Sequence, residues 1–195
     1  VSQMELYLHN KGFYKVEVLD TIFYKKKKAI VEYRVKMGPV TRIQEVRFDH
    51  KEGGRANQIA VESGLMANFQ RDTVNTLLER GAPLDLDVLD DERERITKML
   101  REKGYFNFSK NFIQFFADTT SVTDENMAKV FVRVVENAVD SNAYRRYFVR
   151  DISVNFDYDP MLTAEQVDST YNTLYYNGYN ILYKDKLKIK PKMII

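Results

Sequence analysis

The chain has 195 residues, 44% of them hydrophobic and 30% charged, with a net charge of +2. So balanced a charge excludes the strong basic excess of a dedicated nucleic-acid binder, and the absence of cysteine excludes disulfide frameworks and thiolate metal sites. No apolar run approaches the ~18 residues of a membrane helix and no signal peptide is visible; the chain opens on Val1, and the expectation is a fragment of a longer protein.

In chain order, the first element is a helix that stops at Gly12. Glycine enters the left-handed region without steric cost, so it is the natural residue just past a helix end, with the residue after it packing back on the last turn. Here Leu8, Gly12 and Phe13 have that spacing. Two strand-like segments follow, about 14–24 and 28–37, joined by Lys25-Lys26-Lys27-Lys28. Ala29, Val31, Tyr33 and Val35 alternate with Ile30, Glu32, Arg34 and Lys36, the period of a strand with one buried face. A strand over 41–48 carries Ile43, Val46 and Phe48. Residues 49–71 read as an unusually long connection to a helix capped by Asp72, with Val74, Leu77 and Leu78 inward and Gly81 as its stop.

The next helix takes Asp87 as N-cap and Leu89, Ile96, Met99 and Leu100 as its inner stripe. Asp90, Asp91 and Glu92 in its first turn suit the helix dipole. It stops at Leu100, Gly104 and Tyr105, repeating the earlier spacing. Strands over 106–118 and 127–136 follow, Val130, Val132 and Val134 alternating with Lys129, Phe131 and Arg133. A strand over 148–156 opens the next unit. Residues 163–183 admit two readings: a helix with Thr163 and Gln166 as a capping box, or a hairpin turning at Asn177-Gly178. The Tyr- and Thr-rich composition favours the hairpin, read as an insertion near 170–183, with Pro191 opening a helix beyond it.

The same order therefore occurs more than once. The fold class is α+β, tandem β-α-α-β-β modules, each a small three-stranded mixed sheet covered on one face by two helices. The expected domains are 1–40, the end of a first module; 41–140, a complete one; and 141–195, the start of a third.

This order, with Leu100-x-x-x-Gly104-Tyr105-Phe106 before the hairpin, resembles the POTRA domain, and residues 84–118 are similar to outer-membrane assembly factors of the BamA/TamA type. The matching residues are Pro83-Leu84-Asp85, then Leu89-Asp90-x-Glu92-Arg93-x-Arg95-Ile96, and Ile113-x-Phe115-x-Ala117-Asp118-Thr119. The resemblance implies a scaffold on the periplasmic face of the outer membrane, not an enzyme and without cofactors. Its implied partners are unfolded outer-membrane protein precursors, accessory envelope proteins and a C-terminal membrane β-barrel of the same chain. A POTRA domain of two-partner secretion or of cell division is the alternative within the fold. An RNA-binding sheet with Phe106 and Phe108 as stacking platforms is the alternative outside it, disfavoured by element order and charge.

A three-stranded sheet keeps open edges, whose unpaired N–H and C=O groups can take an extended peptide as an extra strand. The segment 106–116 is the expected peptide-binding edge, with Phe106, Phe108, Lys110, Phe112 and Gln114. Phe106 and Phe108 share one parity and Ile113 and Phe115 the other, so a β-bulge near 110–112 is expected. The plainer reading of these phenylalanines is core.

No catalytic or metal site is expected. His9 and His50 have no Glu or second His at metal-ligand spacing. Asp85, Asp87, Asp90 and Asp91 lack the glycine and closing Glu of a calcium loop, and helix capping accounts for them. Gly53-Gly54 lacks the pattern of a phosphate loop. Lys25–Lys28 reads as a solvated turn, with contact to acidic lipid headgroups as the second reading.

Overall fold

The computed structural model of the protein describes residues 1–49, 54–65, 76–122, 124–135, 142–161, 163 and 171–193. They divide into two compact units, Val1–Tyr147 and Phe148–Ile195.

The first unit opens with α1 (Ser2–Asn10). Gly12 takes φ +90°, and the N–H of Phe13 donates to the Leu8 carbonyl at 3.0 Å. Strands β1 (Glu17–Lys25) and β2 (Lys28–Lys36) pair antiparallel across a turn in which Lys26 adopts φ +57°. Val18 is buried; the other residues of both strands are exposed.

A second sheet is built from β3 (Arg42–Phe48), β4 (Ile113–Asp118) and β5 (Met127–Val134). Its order is β3-β5-β4, with β5 parallel to β3 and antiparallel to β4. Ala128, Val130, Val132 and Val134 of the central strand are all buried, and their neighbours half-buried, because successive side chains point to opposite faces. Two helices cover the buried face: α2 (Arg55–Glu62) and α3 (Leu86–Glu102). Ala56, Ile59 and Ala60 of α2 and Ile96 and Leu100 of α3 cluster with Phe48, Ile113, Val132 and Val134. Leu84 and Leu89 join Ile43, Leu78, Ala128 and Val130 in a second cluster. Fully burying one such aliphatic side chain contributes roughly 1.5–3 kcal/mol. Among the described residues, the order from β3 to β5 is β-α-α-β-β, the arrangement the POTRA resemblance implies.

Three expectations are corrected. The long connection at 49–71 contains α2, whose apolar residues sit at helical spacing; its N-cap is Gly54 at φ +89°, which has no side chain to announce a helix start. The helix over 72–81 is not present at 76–81, where Leu77 is exposed and the chain turns instead. Asp72 and Val74 lie outside the described residues. That turn is pinned by a buried carboxylate: Glu92 accepts from the Thr76 hydroxyl at 2.9 Å and the Leu77 N–H at 3.0 Å, and Arg95 grips both its oxygens at 2.7 Å. The cap of α3 is Asp85, not Asp87. The Asp85 carboxylate accepts from the Asp87 N–H at 2.9 Å, so the second aspartate serves as donor to the first.

The second unit holds β6 (Ile152–Asn155), β7 (Asn172–Tyr176) and β8 (Tyr179–Tyr183) in the order β6-β8-β7. β8 runs parallel to β6 and antiparallel to β7, repeating the sense of the β3-β5-β4 sheet. The hairpin turns at Asn177 (φ +47°) and Gly178 (φ +87°), left-handed values that an Asn-Gly pair adopts readily. Gln166 lies outside the described residues. Pro191 opens a 3-10 turn, Pro191–Met193.

Candidate functional site

The two outer strands of the β3-β5-β4 sheet end in different ways. On the β3 side, the segment 81–84 lies against the strand as if it were a further one. Ile43 donates its N–H to Ala82 and accepts from Gly81, and the Thr41 carbonyl accepts from Leu84, at 2.7–2.9 Å. Arg42 also reaches the Gly81 carbonyl at 2.8 Å.

On the β4 side the outer groups follow from the ladder. Residues of an antiparallel strand alternately turn both backbone groups toward and away from the partner. The Phe112 carbonyl accepts from Val135 on the β5 side, so Gln114 and Phe116 also face β5. Ile113, Phe115 and Ala117 therefore turn their N–H and C=O outward. Among the described residues, one side chain meets them: the Arg93 Nε–H donates to the Ile113 carbonyl at 3.1 Å. Its guanidinium also lies 5.3 Å from the centre of the Phe115 ring and reaches Asp90 at 3.4 Å.

Charged groups surround this end of the edge. Lys110 bridges Asp90 and Glu94 at 2.9 Å each. The hydrogen bond from Lys110 holds the Asp90 carboxyl below the usual carboxylate range, and the bonds to Glu94 and Asp90 raise Lys110 above its ordinary value. Beside them a cleft of about 580 Å³ runs between α3 and Ser109–Lys110.

The expected edge residues fall in different places. Phe106 is 73% exposed and Phe108 fully buried, and both precede the strand. Lys110 and Phe112 form a 3-10 turn in place of the expected bulge, with Ser109 accepting from the Asn111 N–H. Phe108 and Phe112 meet edge-on at 5.5 Å, and both approach Tyr144, so this aromatic run folds into a knot instead of extending. Of the five, only Gln114 lies on β4, with its backbone directed at β5. The strand ends at Asp118, as the expected strand does, so Ala117 joins an edge expected to stop at 116.

Arg93 carries a signal the sequence offers. It lies four residues after Leu89 and three before Ile96, on the line of the buried stripe of α3, where a cation is out of place unless it has a partner. Glu92 sits on the same stripe and has its own partners at Thr76, Leu77 and Arg95.

The helix stops are equivalent in their surroundings. Gly104 takes φ +97°, and Tyr105 donates to the Leu100 carbonyl at 3.1 Å, as Phe13 does to Leu8. The carbonyl of each glycine also accepts from the chain leaving its hairpin: Gly12 from Thr41 at 2.9 Å, Gly104 from Tyr147 at 2.8 Å. At the first stop, Lys11 bonds Asp85 and Asp87 at 2.8 Å each, joining α1 to the cap of α3. His9 rests near the Tyr14 ring, 6.2 Å between centres; His50 lies outside the described residues. No group of His, Cys, Asp and Glu among the described residues is arranged to hold a metal. None of the described helices is long and apolar enough to cross a membrane.

No protein-family model and no curated protein matches the chain. Two of the solved structures to which it is similar are BamA structures. One is BamA of Haemophilus ducreyi lacking POTRA domains 1–3, with 13% identity and a TM-score of 0.40 over 70% of this chain and 22% of that one. The other is BamA POTRA3-5 of Haemophilus influenzae, with 15% identity and a TM-score of 0.40 over 92% of this chain and 61% of that one. Both likenesses are distant, and the chain spans less than two thirds of the length of either structure.

Proposed function

We propose that the chain is a tandem of POTRA-type modules, 1–40, 41–140 and 141–195, from an outer-membrane protein assembly or insertion factor. It stands on the periplasmic face of the outer membrane, receives unfolded β-barrel precursors, and docks accessory envelope proteins. It runs no reaction and uses no cofactor. A client joins β4 as an added strand. Backbone groups supply the bonds, so one site serves many sequences. The observation that carries this reading is the outward row at Ile113, Phe115 and Ala117, on a sheet whose opposite edge is already occupied by 81–84 at Thr41–Ile43.

The test uses a lysine-flanked peptide of alternating valine and threonine and the full chain. Ala117 is exposed and its N–H points outward, so Ala117→Pro removes an edge donor without breaking the ladder. Capture is expected to weaken at least about tenfold while the thermal midpoint shifts little. Phe116→Pro is the control: its N–H faces β5, so that variant loses stability instead. Full-strength capture by folded Ala117→Pro protein would remove β4 from consideration.

A further inference from the structure

We propose that Arg93 is a reversible plug of the β4 edge, competing with an incoming strand for the Ile113 carbonyl. This rests on the strand-addition reading and adds its regulation. The group that Arg93 occupies is one an added strand would use, since Ile113, Phe115 and Ala117 form one outward row. The arginine is held by three modest contacts: the carbonyl, the Phe115 ring and Asp90. Its side chain is 32% exposed, so water can replace the bond as it leaves.

A guanidinium also suits the task chemically. It lies flat on an aromatic ring while its N–H groups point along the ring plane to an acceptor. An edge guarded by a charge resists indiscriminate pairing between copies, and a guard made of one side chain can still be displaced. A guest strand therefore pairs first at Phe115 and Ala117, which no side chain occupies among the described residues. It reaches Ile113 only by displacing the arginine. The difference in affinity between guests that extend to Ile113 and those that stop short is then set by Arg93.

The test compares wild type with Arg93→Met, using the same valine–threonine peptide and the full chain. Methionine keeps an unbranched apolar stem against Phe115 but has no donor. Arg93→Met is expected to bind the peptide about five- to tenfold more tightly, the worth of about one hydrogen bond. The Ile113 amide should also gain protection from hydrogen exchange in its complex beyond that in the wild-type complex. Should Arg93→Met fail to fold, Arg93→Lys replaces it. A single ammonium cannot reproduce the fork, and about threefold tighter binding is expected. Equal affinity of wild type and variant overturns the plug and leaves capture at β4 standing. Tighter binding without new protection at Ile113 also overturns it. Failure of both folded proteins to bind overturns the plug and the strand-addition reading together.

Discussion

The two edges of the β3-β5-β4 sheet solve one problem by different means. At Thr41–Ile43 the β3 edge is closed by main chain: six backbone groups, of Thr41, Ile43, Gly81, Ala82 and Leu84, are matched there in three hydrogen bonds. The β4 edge is closed at one carbonyl by one side chain, Arg93. Opening the first means moving a stretch of backbone and breaking several bonds at once. Opening the second means turning one arginine. Under the strand-addition proposal, a guest therefore meets less resistance along β4 than at the start of β3.

Three further measurements press on this contrast. The largest effect is expected from Phe108→Ala, because that ring is fully buried beneath the turn that starts β4. A loss of about 3–5 kcal/mol in urea denaturation is expected. A loss below about 1 kcal/mol would mean that β4 is positioned without the aromatic knot. Next comes Glu92→Ala, which frees the turn leading into the segment that seals β3. About 2–3 kcal/mol is expected, with faster hydrogen exchange at Ile43 and Gly81. If those two amides keep their protection, the sealed edge does not depend on Glu92.

The smallest effect is that of acid. The Asp90 carboxyl is held down in the folded chain by Lys110, so its contribution is complete above about pH 4 and disappears as pH falls through its lowered value. A carboxyl-carbon NMR titration of Asp90 should show a midpoint below that of a model aspartate. A midpoint at or above the model value would contradict the bridge to Lys110.

How much of this was legible from the residues depends on the kind of signal. Strand β5 is read directly, because Val130, Val132 and Val134 keep strict alternation and are buried on one side. Helix α3 is read from its stripe and its glycine stop, although the choice between Asp85 and Asp87 as cap turns on a hydrogen bond that spacing alone does not decide. Helix α2 escaped because it is short, builds its inner face from two alanines and one isoleucine, and begins at a glycine. The stretch 106–112 misled for the opposite reason. Its alternating phenylalanines imitate a strand, while Ser109 and the packing of Phe108 and Phe112 against Tyr144 turn the chain. Of the candidate site, the outer position of β4 depends on strand order, which no local pattern encodes. The role of Arg93 depends on a contact across twenty residues.

The glycine that ends α3 has a second duty. A Cβ at Gly104 would sit 2.6 Å from the Tyr147 carbonyl oxygen and 3.1 Å from Arg146. Gly12 is less tightly crowded, a Cβ there lying 3.1 Å from the Leu84 carbonyl oxygen and 3.2 Å from that of Thr41. The spot where the helix finishes is thus also the mooring of the polypeptide as it departs. One added methyl group at Gly104 would force the Tyr147 carbonyl to shift, so the small size of this residue keeps that hydrogen-bonded tether in place as well as ending the helix.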